Sequence, residues 1–137
     1  MFLFDTDTLS DTLTEILKRT PSPGLLAKLA TMRSEDQFTT FITIGELVYG
    51  VHRSNRKEYL LRQFEERLWP IVHILPFDSS AAEAFGGIRA ELERAGATLA
   101  EPDLSIGAIA LTNNLTVVAG NVRHFARIPG LQVENWI

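Results

Sequence analysis

The chain has 137 residues, 45% of them hydrophobic and 22% charged, which suits one folded core and excludes a disordered protein. It holds no cysteine, excluding disulfides and thiolate metal sites and fitting a reducing cytoplasm. A formal charge of −4 gives no general attraction to nucleic acid, so any such partner must meet local cations.

The chain opens "MFLFDTDTLSDT". Phe2-Leu3-Phe4 lacks polar alternation and reads as a strand buried on both faces, as in a parallel sheet covered by helices. It is too short, and lacks the basic flank, for a signal peptide. No apolar segment approaches membrane-spanning length, so no membrane association and a cytoplasmic location are expected. Ser10 is placed to cap a helix carrying Leu13, Ile16 and Leu17, and Ser22 with Pro23 starts a second. "QFTTFI" is expected as a strand. The following "TIGELVYGVHR" carries Ile44, Leu47, Val48 and Val51 at the spacing of an amphipathic helix.

"RKEYLLRQFEERLW" continues as a charged helix, and "IVHILPF" holds a third strand. "SSAAEAFGGIRAELERAG" is a helix closed by Gly96, with Gly86-Gly87 expected where elements pack closely. "PDLSIGAIALTNN" is a helix with Pro102 in its first turn and Asn113-Asn114 at its end. "LTVVA" is a strand, "VRHFARIPG" a short turn or helix, and "LQVENW" an edge strand. Strands alternating with helices, with no repeat or linker, predict a single domain over residues 1–137. Its class is α/β: a three-layer α/β/α sandwich around a mainly parallel sheet.

Three acids fall at strand–helix junctions, where open parallel sheets bind ligands. Asp5 ends the first strand, Glu46 lies in the first turn of the helix after the second, and Asp103 opens the small-residue helix. Converging carboxylates repel one another and need protons or a cation. With no thiol and no histidine cluster, an oxygen-only site points to Mg²⁺ or Mn²⁺. Each acid also has a structural account. Thr43-Ile-Gly-Glu46 matches a capping box, which explains Glu46 as well as a site does. Against it, Glu46 projects away from the apolar stripe, beside the open space of Gly50. Asp103 complements a helix dipole, although Ile106, Gly107 and Ala110 make the face below it apolar. Nothing about a buried strand end requires Asp5, whereas Asp7 reads as an ordinary turn or helix-entry residue. His52, His73 and His124 lack metal-ligand or triad spacing, and His73 reads as a core or edge residue. The sequence carries no phosphate-binding glycine loop and no nucleophile elbow.

On these residues the chain resembles the PIN-domain proteins, specifically the VapC-type ribonuclease toxins of toxin–antitoxin pairs. "LFDTDTLS" resembles the opening strand with its first acid, and "TTFITIGELVYGV" the second motif. "EPDLSIGAIALTNNLTVVAGNVRHFARIPGLQVENW" follows the third motif and the C-terminal pattern, so the likeness covers nearly the whole chain. The resemblance implies metal-dependent endonucleolytic cleavage of RNA, a homodimer, and a small cognate antitoxin that blocks the site. Carried over by position, it implies that Asp5, Glu46 and Asp103 are catalytic and hold Mg²⁺, with Asp5 and Asp103 foremost as ligands. It gives Thr6 and Thr43 the part of orienting those carboxylates. The chain departs from the pattern in three places: Asp7 stands where relatives carry Asn, Asn121 at a fourth acidic position, and Ala119 where Thr or Ser is usual. Arg53, on the outward face of the Glu46 helix, and Arg123, His124 and Arg127 near Asn121 are the candidate phosphate contacts. Two rivals remain. "FDTDTL" resembles the Asp-x-Asp of haloacid-dehalogenase-like phosphatases, although the Gly-Thr that normally follows is missing. The Asn121 and Ala119 departures also fit a catalytically weak or inactive PIN-like protein-binding module.

Overall fold

In the computed structural model, residues 1–10, 28 and 31–136 are described. Five strands form one all-parallel sheet: β1 (Phe2–Phe4), β2 (Gln37–Thr40), β3 (His73–Leu75), β4 (Thr116–Val118) and β5 (Val133–Glu134). Their spatial order is β3-β2-β1-β4-β5. β1 is therefore central, hydrogen-bonded on one side to β2 and on the other to β4, and the order reverses between β1 and β4. His73 lies on an edge strand, exposed, its ring tilted against Phe38.

The helices with defined limits are α1 (Phe41–His52), α2 (Lys57–Gln63), α3 (Ser79–Arg94), α4 (Glu101–Thr112) and α5 (Val122–Phe125). A π-helical stretch, Phe64–Leu68, prolongs α2. Both faces of β1 are covered, as its unbroken apolar run predicts. Leu3 packs with Ile106, Ile109 and Ala110 of α4. Phe4 packs on the other side with Leu47 and Val51 of α1 and with Phe64 and Leu68. That makes three layers, as expected. A third apolar cluster joins Ile88 and Leu92 of α3 to Leu104 and Ala108 of α4. Gly96, at φ +70, ends α3 as its position in the sequence predicts.

Local expectations are corrected in four places. A helical turn covers residues 6–10, directly after β1, so Ser10 lies inside a helix instead of capping one. The Leu13, Ile16 and Leu17 stripe and the Ser22-Pro23 start lie outside the described residues. β2 stops at Thr40, and Phe41 and Ile42 already belong to α1. The cap of α1 is Thr40, whose Oγ1 accepts the Thr43 N–H at 3.0 Å, so no capping box forms between Thr43 and Glu46. Lastly, Gly86 and Gly87 are exposed with nothing within 4 Å of an added Cβ. Close approach instead occurs at Gly107, where a Cβ would stand 2.3 Å from Ile128 Cδ1. The missing side chain leaves room for the Ile128 methyl against α4.

Candidate functional site

The carboxyl ends of β1 and β4, where strand order reverses, form the mouth at which open α/β sheets bind ligands. Asp5 stands in it. Its N–H donates to Val118 O of β4 at 3.1 Å, closing the two strands together at this point. Its Oδ1 accepts the Thr8 N–H at 2.9 Å, and Leu9 N–H reaches Asp5 O at 3.1 Å. Asp5 is therefore the N-cap of the helical turn that follows β1, a structural duty the sequence reading did not assign to it. Thr8, also missed, donates its hydroxyl to Val118 O at 3.0 Å. The Asp-x-x-Thr spacing of a cap is the signal that was available.

Asp5 is only 5% exposed. Burial raises its pKa to about 6, the Thr8 bonds partly offset that, and the charges of Asp7 and Asp103 add to it. Asp5 and Asp103 thus lie within each other's electrostatic reach. No cationic side chain pairs with Asp5 among the described residues.

Glu46 sits in the second turn of α1 and not the first, because the helix already starts at Phe41; it is exposed and is joined to the Asp5 strand end by a neighbour of Asp5. Thr6 Oγ1 donates to Glu46 Oε1 at 2.6 Å. The Thr6 and Thr43 hydroxyl oxygens are 3.4 Å apart, and those of Thr43 and Thr40 are 3.3 Å apart. Thr43 is fully buried and touches Thr6 where the sequence reading had it orient a carboxylate directly. Thr43, itself next to Thr40, thus backs the Thr6 hydroxyl that holds Glu46.

Asp103 occupies the first turn of α4. Since α4 leads into β4, its N-terminus lies level with the carboxyl ends of the strands. His124 Nδ1 is 3.4 Å from Asp103 Oδ2, and His124 Nε2 is 3.2 Å from Asn121 Nδ2. The His124 ring thus stands beside Asp103, a neighbour that spacing alone did not reveal. Arg127 is turned away, donating to Thr98 O at 2.8 Å.

The structure therefore gathers Asp5, Thr6, Thr43 and Glu46 on one side of the mouth and Asp103, His124 and Asn121 on the other. No group of three or more His, Asp or Glu side chains stands at metal-holding distance among the described residues. All the carboxylates present are hard oxygen donors. Mg²⁺ commonly takes only one or two of these and completes its shell with water, so the donor set fits such an ion without a closed cage.

An open parallel α/β protein with an acid-lined mouth at its strand-order reversal is thereby defined. Residues 2–131 match the PIN domain. The tRNA(fMet)-specific endonuclease VapC of Salmonella typhimurium is 32% identical over 138 aligned positions, covering 98% of this chain and 97% of that protein. Toxin FitB of Neisseria gonorrhoeae is 31% identical, covering 91% of each. The crystal structure of DNA-bound VapBC from Salmonella typhimurium superposes with a TM-score of 0.89 at 31% identity, covering 99% of this chain and 98% of that one. The chain belongs to the PIN-domain family, among the ribonucleases of VapC type. No helix among the described residues is long and apolar enough to cross a membrane.

Proposed function

We propose that the chain is a metal-dependent endoribonuclease and the toxin of a toxin–antitoxin pair, folded as a single PIN-like domain over residues 1–137 and acting in the cytoplasm. One observation carries the reading: a buried carboxylate, Asp5, ends the central strand in the field of Asp103 with no described cation beside it. The relatives named endonuclease VapC and toxin FitB supply the reaction class and the biological setting.

Mg²⁺, or Mn²⁺ in its place, held by Asp5 and Asp103 directly and by Glu46 through water, would activate a water for in-line attack on a phosphodiester and offset the charge growing on the phosphate. The chain's own residues prepare the site for that chemistry. Thr8 fixes Asp5 through the helix cap, Thr6 fixes Glu46, and Thr43 backs Thr6. Asn121 holds the His124 ring that stands beside Asp103. The partners are RNA, a cognate antitoxin protein and a second copy of the chain.

The lack of a three-ligand group among the described residues favours a second reading, a catalytically weak module that binds protein. Incubating the purified, partner-free chain with mixed RNA that includes tRNA, across Mg²⁺ and Mn²⁺ series with a chelator control, separates the two. Metal-dependent cleavage lost in Asp5→Asn and Asp103→Asn supports the nuclease. A folded chain that neither binds Mg²⁺ or Mn²⁺ nor cuts RNA overturns it in favour of the module.

A further inference from the structure

Four of the chain's 13 lysines and arginines, Arg53, Arg56, Lys57 and Arg62, fall between positions 53 and 62. All four are exposed, and none pairs with a carboxylate among the described residues. In an acidic chain such a run of unpaired cations is a local anion-attracting surface. Two of the four lie over aromatic rings. The Arg53 guanidinium carbon is 5.6 Å from the Tyr49 ring centroid, and that of Arg56 is 4.4 Å from Tyr59. Tyr49 is 63% exposed and Tyr59 39%, so these rings stand in solvent instead of filling a core.

Their placement relative to the acids is set by helix geometry. Glu46 and Tyr49 on α1 and Arg53, the residue that caps its C-terminal end with helical backbone angles, are spaced i, i+3, i+7 and share one face. Tyr49 and Arg53 lie about 5 and 10 Å beyond Glu46 along the helix axis. Gly45 and Gly50 flank that line, and a Cβ at either would meet nothing within 4 Å. The surface beside Glu46 is therefore low and open, bounded by a flat ring and a guanidinium.

An RNA strand brought to a mouth lined with carboxylates is repelled there and must be held by contacts on either side. Aromatic faces hold single-stranded bases by stacking, whatever the sequence, and arginine adds a phosphate contact and a cation–π backing. We propose that Tyr49 and Arg53, continued by Arg56 and Tyr59, form a track for single-stranded RNA leading away from the acidic mouth. Tyr49 stacks on a base next to the cleaved phosphate, and Arg53 takes a phosphate further along the strand. The proposal rests on the ribonuclease reading above and adds to it the path of the substrate.

Binding is read by fluorescence anisotropy of a labelled single-stranded oligoribonucleotide across a KCl series, in an Asp103→Asn background that prevents turnover. Tyr49→Ala is expected to weaken binding about tenfold, and Tyr49→Phe, which keeps the ring, to leave it within about twofold. Arg53→Gln is expected to weaken it and to lower the salt slope by about 0.7, one phosphate contact on a single strand. Arg94→Gln, at the far end of α3, serves as control and changes neither. In the active chain the same two substitutions, Tyr49→Ala and Arg53→Gln, raise KM and leave kcat in place, with melting temperatures unchanged. A chain that cuts RNA with the same KM and salt slope in these variants overturns the track alone. A wild-type chain that neither binds nor cuts RNA overturns the nuclease reading and the track together. Variants that lose a protein partner while keeping full RNA affinity assign this face to that partner and overturn the track.

Discussion

Thr6 and Glu46, 40 residues apart in sequence, are joined by a hydrogen bond of 2.6 Å. The bond ties the helix after β2 to the turn after β1, so the two junctions hold one carboxylate between them. Thr6→Val removes the donor while keeping the shape. Metal-dependent RNA cleavage is expected to fall roughly 10- to 100-fold, the usual cost of losing a residue that orients a ligand. Thr6→Ser restores most of it. Initial-rate assays over a Mg²⁺ series, with thermal melts to exclude unfolding, check both.

Burial raises the Asp5 pKa from 3.8 to about 6. The folded state therefore holds a proton on Asp5 between those values that the unfolded chain releases. This contribution to stability is fully present below 3.8 and is lost as pH rises through about 6. The loss amounts to about 3 kcal/mol. Asn caps a helix as well as Asp does and carries no charge. Asp5→Asn is thus expected to be more stable than wild type at pH 7 in metal-free buffer, with the gap closing toward pH 4. Urea melts of both proteins from pH 4 to 8 test it; a gap independent of pH would refute the assignment.

Thr8 donates to both Asp5 and the strand partner Val118. Thr8→Val keeps the backbone N–H but removes the hydroxyl. A cost of about 1 kcal/mol in unfolding free energy is expected. The Asp5 pKa is expected to move further up, because the Thr8 side chain, which together with the Thr8 backbone N–H lowers it, no longer offers a hydroxyl. Equilibrium unfolding and NMR titration of the Asp5 carboxyl measure the two effects.

Asn121 reaches His124, and His124 reaches Asp103. Asn121→Asp adds a carboxylate to this side of the mouth, and Mg²⁺ affinity is expected to rise roughly tenfold with the added ligand charge. Isothermal titration calorimetry of the two proteins decides it. His124→Ala should lower cleavage while leaving the fold intact, since the ring is partly exposed.

Gly107 faces Ile128 Cδ1 at 2.3 Å from where a Cβ would be. Gly107→Val is expected to destabilise by about 1–3 kcal/mol through overpacking. Shortening the neighbour in Gly107→Val/Ile128→Ala should recover part of that loss, and a double-mutant cycle on urea melts measures the coupling.

The alternation of strands and helices, the fully apolar β1 and the small-residue α4 were legible because burial writes its period directly into the chain. The positions of Asp5, Glu46 and Asp103 at the junctions were legible for the same reason. Caps were less so. Thr40 and Thr43 both precede an apolar helix, and only the point where β2 stops hydrogen-bonding to its neighbours selects Thr40. Asp5 as a cap was missed because the helical turn starts at residue 6, before any apolar period begins.

By itself the sequence determined that this is an α/β protein with acids at the ends of its strands, since hydrophobic period and residue type are local properties. Only the tertiary structure decided that the sheet reverses between β1 and β4, that Thr6 holds Glu46, and that His124 and not Arg127 meets Asp103. Those contacts join residues far apart in the chain. Which of them form is set by strand order and by how closely α4 packs, and neither leaves a periodic trace in the amino acids.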